Sequence, residues 1–208
     1  MKFSDFKSIE DVQAKYPLAV TKTKFLPDVE LLPSEGFIED IQFALSVQNS
    51  VESEMFFREY FIAPFMRETW KRHPGLKLWV NRKLAYKDEL TGEPDYYIAT
   101  RPVGVTSNPV GQPLLAVAEA KQEDFIAGWG QCLAEMIACQ KINDNDKITI
   151  YGIVSAGEFW QFGQLSQDTF SRNLVAYSIY EPAKLLGVLD YLFAECERQI
   201  VSASPSAT

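Results

Sequence analysis

Apolar residues along this chain switch between helical and strand spacing, and the order of the switches predicts the fold. Within 51–72, Met55, Phe57, Phe61, Ile62, Phe65 and Met66 recur at helical intervals and give a broad apolar face. Pro64 stands inside that stretch and predicts a kink or break, because proline removes an amide donor and crowds the preceding turn. His73-Pro74-Gly75 ends it. The run 76–80 (LKLWV) predicts a first core strand. Residues 96–102 (YYIATRP), rich in β-branched and aromatic side chains, predict a second. The apolar run 114–121 (LLAVAEAK) has the length of a third, and the Gly-, Ser-, Asn- and Pro-containing stretch 103–113 reads as the loop between them.

After Lys121 the pattern becomes helical again, with Phe125, Trp129, Leu133, Met136 and Ile137 in phase up to about residue 141. Strands are then expected over 147–155 and 158–165, joined at Ala156-Gly157, and over 173–180. Pro182 opens a final helix to about 201. Upstream, Ser8-x-x-Asp11 starts a short helix to about Tyr16. Residues 17–33 hold three prolines and form an extended connection, and a further helix covers about 36–48. The closing SASPSAT reads as a frayed tail. The order of helix, three strands, helix and further strands predicts an α/β protein with a mixed sheet flanked by helices.

The strand pattern also places chemistry. Alternate side chains of a strand share a face, so Glu119 and Lys121 point one way while Ala118 and Ala120 point the other. In an antiparallel hairpin, facing residues have a constant sum of sequence numbers. Asp95 therefore faces Glu119 if the midpoint is Ser107, inside the expected loop. Two carboxylates and an ammonium then converge, a set suited to a divalent cation and an activated water. Each residue also has a plainer reading. Asp95 after Pro94 can cap a turn, and Glu119 with Lys121 can be a surface pair. Gln131 can be a solvent-facing helix residue, and Glu54 can merely favour a helix start. Against the surface-pair reading, the flanking LLAVA suggests a central strand, where charges without partners are costly. Trp129 and Trp160 are expected in the core.

Other chemistries are excluded by what is missing. One histidine, His73, cannot build a histidine metal site, and neither a GxSxG nor a GxxxxGK[ST] segment is present. Cys132, Cys139 and Cys196 show no CxxC spacing and read as small buried residues in a reducing compartment. No apolar run approaches a membrane span, and MKFSDFKSIEDV lacks the apolar segment of a secretory signal. The expected location is therefore cytoplasmic, without a membrane partner. The 208 residues, 47% hydrophobic, suffice for one substantial core. The net charge of −8 is unlike that of a protein gripping a long duplex. Between Arg67 and Lys87, however, seven basic residues meet only Glu68, and that stretch precedes the Asp95 strand.

Pro94-Asp95 and Glu119-Ala120-Lys121 resemble the two signature elements of the PD-(D/E)XK nuclease superfamily, and Gln131 stands where many members carry a glutamine on the following helix. The stretch from Glu54 to Pro64 (EMFFREYFIAP) resembles the first-helix motif of type I restriction subunit nuclease domains and their small relatives. Residues 151–160 (YGIVSAGEFW) resemble a strand-turn-strand element of the same relatives. Together these motifs cover roughly 51–165. Where some subgroups continue Gln-x-x-x-Tyr, this chain has Glu135. The resemblance implies a restriction-endonuclease-like αβββαβ core over 51–201; residues 1–50, which match none of these motifs, are expected as an N-terminal helical extension packed on it, and 202–208 as a flexible tail. It implies Mg²⁺ (or Mn²⁺) held by Asp95, Glu119 and the Ala120 carbonyl. Lys121 would orient the attacking water or stabilise charge, Gln131 would hydrogen-bond that water or Lys121, and Glu54 would be a further acid. The implied activity is hydrolysis of nucleic acid, DNA before RNA, by an endonuclease or a nuclease component of a restriction or defence system. A non-catalytic binding or assembly module on the same fold is the alternative, and a homodimer presenting two sites is a third reading.

Overall fold

The computed structural model describes residues 1–49, 51–102, 104, 110–121 and 124–203. Ser107, the expected midpoint of the hairpin, and the tail beyond 203 lie outside the described residues.

Helix α1 (Ile9–Lys15) starts where the sequence places it, with the Ser8 side chain accepting from the Asp11 amide. That bond satisfies one of the donors a helix start leaves open. Helix α2 (Glu35–Val47) is capped in the same way by Ser34. The long helix expected over 51–72 is three pieces. They are α3 (Glu54–Phe57), a π-helical turn (Arg58–Ile62) and α4 (Ala63–Trp70), with Pro64 in the first turn of α4. The break thus falls just before the proline, as a widened turn whose last bond runs from the Ala63 amide to the Arg58 carbonyl. Such turns re-aim side chains inside an otherwise continuous helix.

Strand β2 (Leu76–Val80) follows, and then a small hairpin of β3 (Leu84–Tyr86) and β4 (Leu90–Gly92) that apolar spacing does not announce, since three residues are too few for a period. Strands β5 (Tyr96–Thr100) and β6 (Leu114–Lys121) flank the expected loop, and helix α5 (Phe125–Asn143) leads to β7 (Ile150–Ala156). The Ala156-Gly157 turn to β8 (Phe159–Ser166) needs the positive φ of +62° that glycine takes without strain. The strand expected over 173–180 is displaced. The chain instead turns at Gln167 (φ +53°) into β9 (Thr169–Asn173), and only the two-residue β10 (Tyr177–Ser178) falls in the expected stretch. TFSRN is too polar to show as a strand by alternation alone. Helix α6 (Pro182–Ala203) closes the fold.

The main sheet runs β1-β9-β8-β7-β6-β5-β2, with β10 paired to β8. Strand β1 (Ala19–Thr23), from the stretch read as an extended connection, pairs in parallel with β9 at the sheet edge. The β6–β7 pair is also parallel and the other pairs are antiparallel, so the sheet is mixed. Its two faces are read off β8. Gln161 and Gly163 meet Trp129 of α5, whereas Trp160 lies against Phe65 of α4 with ring centroids 5.9 Å apart and planes tilted by 58°. Helix α5, covered by α1, therefore lies on one face, and α4 with α6 on the other. His73 lies between Asp190 and Glu197 of α6, at 3.2 and 3.0 Å, and pins the end of α4 to that helix. Among the described residues no helix is long and apolar enough to cross a membrane.

Candidate functional site

The hairpin register decides whether the acids meet. Tyr96 pairs with Ala118, Tyr97 with Val117 and Ile98 with Ala116, all at the constant sum of 214 expected for Asp95 opposite Glu119. A bulge shifts the pairing only between Ile98 and Ala99, farther along the hairpin. Asp95 stands one residue before β5, and its amide donates to Glu119 Oε1 (3.2 Å), while the Ala120 amide donates to Asp95 Oδ2 (2.9 Å). The two acids are thus laced together through backbone donors. Ala120 meets Asp95 through its N–H, where a carbonyl contribution to a cation was expected.

Alternation along β6 turns Glu119 and Lys121 toward α5. Lys121 Nζ donates to Glu119 Oε2 at 3.2 Å, and Gln131 Nε2, from the second turn of α5, donates to the same oxygen at 2.7 Å. Asp95, Glu119, Lys121 and Gln131 therefore form one connected cluster. Glu54, half-buried at the start of α3, lies near enough for its charge to act on Lys121. It makes no direct bond in the cluster among the described contacts.

Three residues of the site were not identified from sequence. Arg58, on the π turn, places Nη1 2.8 Å from Asp95 Oδ1, with both side chains about nine-tenths buried. Its Nη2 donates to Asn81 Oδ1 at 2.5 Å, and its guanidinium lies 5.8 Å from the Tyr96 ring centroid. Asn81, just past β2, has a left-handed backbone (φ +43°) that asparagine tolerates, and its amide donates to the Asp95 carbonyl. Glu135, fully buried one turn after Gln131, accepts from Gln131 Nε2 at 3.2 Å, and its carboxyl is also within hydrogen-bonding reach of Glu119. The available signals were a lone arginine inside the apolar run FFREYFI and a lone acid inside CLAEMIAC, both in stretches too apolar to leave a charge without a partner.

Burial pushes the Glu119 carboxyl up to about 7, the Asp95 charge adds to this, and the Lys121 ammonium opposes it. Glu135 is pushed well up by burial and then by Glu119. Both carboxyls are thus shifted upward, each by burial first and by the acids around it next. For Lys121, burial works to lower the pKa, but the carboxylates of Glu119, Asp95 and Glu54 outweigh it, so the net shift is upward. That upward shift runs against a general-base role for the lysine. Asp95 and Glu119 each face one cationic side chain, Arg58 and Lys121 respectively. Beside this cluster is a cavity of about 450 Å³, lined by Lys2, Ser4, Lys83, Glu93 and Gln131 among others.

No protein-family model and no curated protein matches this chain. Among solved structures, one chain of a DrdV–DNA complex determined by cryo-electron microscopy is similar over 77% of this chain and 14% of its own length, with 13% identity and a TM-score of 0.41. This chain thus spans about a seventh of that protein, and a likeness at that score carries no argument about activity.

Proposed function

We propose that this chain hydrolyses phosphodiester bonds of nucleic acid, DNA in the first instance, with Mg²⁺ or Mn²⁺ held at Asp95 and Glu119. The observation that carries the reading is the connected cluster of two carboxylates from adjacent strands with Lys121 and Gln131 on the same side. The element order α4, β2, β5, β6, α5, β7 supports a restriction-endonuclease-like αβββαβ core over 51–201, with 1–50 packed on it.

The donor set fits a small hard cation. Two carboxylates offer oxygen ligands of the type Mg²⁺ prefers, and no third His, Cys, Asp or Glu completes a ligand group among the described residues. A metal there would take its remaining ligands from backbone and water, which is the habit of Mg²⁺. When bound, such an ion neutralises phosphate charge and acidifies a coordinated water.

The chain's own residues supply the rest. Lys121 contributes a fixed positive charge toward developing negative charge on phosphate. Gln131 holds Glu119 Oε2 in place, and Glu119, with smaller help from Asp95 and Glu54, pushes the Lys121 pKa up. Lys2 and Lys83, on the rim of the adjoining cavity, suit the phosphates of a strand passing Gln131.

A second reading, a non-catalytic module on the same fold, is favoured by one specific observation. All four carboxylate oxygens of Asp95 and Glu119 already accept from protein donors. Incubation of supercoiled and linear DNA with the protein and Mg²⁺ or Mn²⁺ separates the two. Cleavage that falls at least about 100-fold in Asp95→Ala and in Lys121→Ala is expected. Equal cleavage by these variants rejects the assigned site, and no cleavage by any form, with DNA still bound, supports the module.

A further inference from the structure

Arg58 is the cation that lies directly on Asp95, and the fold holds it there from several sides. Its guanidinium is tied to Asp95 Oδ1 and to Asn81 Oδ1, and the aromatic ring of Tyr96 is beside it. The Arg58 amide is bonded to the Glu54 carbonyl at ordinary α-helical spacing, and the π turn that follows joins α3 to α4. Asn81 is braced as well, because its own amide is bonded to the Asp95 carbonyl and its backbone is left-handed. A fork held at both prongs loses less entropy per bond than a lysine would.

Its charge matters as much as its placement. Two neighbouring buried carboxylates repel one another unless a cation stands between or beside them. Lys121 answers Glu119, and Arg58 answers Asp95, so the cluster is complete without an ion from solution. A metal that takes Asp95 Oδ1 must first break the bond between that oxygen and Arg58. The end of the guanidinium held by Asn81 is the more accessible one, since Asn81 is exposed while Asp95 is buried.

We propose that Arg58 is a built-in occupant of the cation seat at Asp95, that a divalent metal ion binds by displacing it, and that Asn81 sets how firmly it is held; this rests on the metal-site reading above. The site is then switched between a closed form, neutralised by Arg58, and an open form, neutralised by the metal. In the open form Arg58 is released with its donors unpaired, next to the place where an anionic phosphate would arrive.

Mn²⁺ binding to the whole protein, followed by calorimetric titration and by loss of the free-Mn²⁺ paramagnetic resonance signal, tests this without any cleavage assay. Asn81→Gly keeps the backbone conformation and every charge, and removes only the side-chain acceptor. It is expected to tighten Mn²⁺ binding about tenfold, the effect of losing one hydrogen bond to a charged group. Arg58→Met is expected to tighten it further, and Asp95→Asn to abolish it, with circular dichroism showing each variant folded. A general effect of the arginine's charge would move Arg58→Met alone, so unchanged affinity in Asn81→Gly overturns the proposal while leaving the metal site intact. Absence of Mn²⁺ binding in wild type and in both loosened variants removes the metal-site reading itself, and the proposal with it.

Discussion

Glu135 shows what a single buried group asks of its surroundings. It accepts from Gln131, its carboxyl lies against that of Glu119, and burial followed by the Glu119 charge pushes its pKa well up. An isolated carboxylate in that position would cost several kcal/mol. A neutral amide of the same shape should therefore replace it with little loss. Glu135→Gln is expected to change unfolding free energy at pH 7 by less than about 1 kcal/mol in urea titration. A loss above about 3 kcal/mol would mean that the group is charged and paired.

At the scale of elements, α5 is the part that joins the site to the first residues of the chain. Gly130, next to Gln131, faces the backbone of residues 6–8, and a Cβ there would lie 2.5 Å from the Ser8 nitrogen. Backbone cannot swing aside as a flexible side chain can. Alanine in place of a helical glycine gains about 1 kcal/mol in propensity, whereas overpacking costs about 1–3 kcal/mol. The balance here favours the cost, because the contact is with main chain capping α1. Gly130→Ala is expected to lower stability by about 1–2 kcal/mol and to speed amide exchange at residues 6–11. Unchanged stability and exchange would show that the first residues are not docked on α5. The broken helix before β2 is a second element-scale feature, for Arg58 meets Asp95 from the junction between α3 and the π turn.

For the whole molecule, charge distribution matters more than the total. The net charge of −8 disfavours a long nucleic-acid footprint. The basic stretch from Arg67 to Lys87 is also largely committed to the protein itself. Arg72 is bonded to Asp190, Lys71 to Glu68, and Lys77 and Arg82 lie over aromatic rings. Lys83 reaches the cavity beside Gln131, where Lys2 joins it. A second cavity, lined by Asp28, Glu30 and Glu181 together with Lys184, would repel phosphate. DNA binding should accordingly involve two or three phosphates, with a slope of log affinity against log salt of roughly −2 to −3. Filter binding or anisotropy across a salt series measures it, and Lys83→Ala should reduce the slope by about one unit. A slope steeper than about −6 would require a contact surface elsewhere.

The sequence by itself determined the local geometry. Strand alternation turned Glu119 and Lys121 to one face, and the even spacing of the hairpin set Asp95 opposite Glu119 with a register sum of 214. The helix cap at Ser8 and the glycine at the β7–β8 turn were likewise legible, because each depends on residues a few positions apart. Short or polar strands such as β3, β4 and β9 were not, since they lack the period that would announce them. Only the tertiary structure decided which cation answers which acid. Arg58 reaches Asp95 and Asn81 across separate elements, from the junction of α3 with the π turn to a left-handed residue. Sequence spacing carries no such distance, whereas packing fixes it through the one arrangement that leaves no buried charge alone.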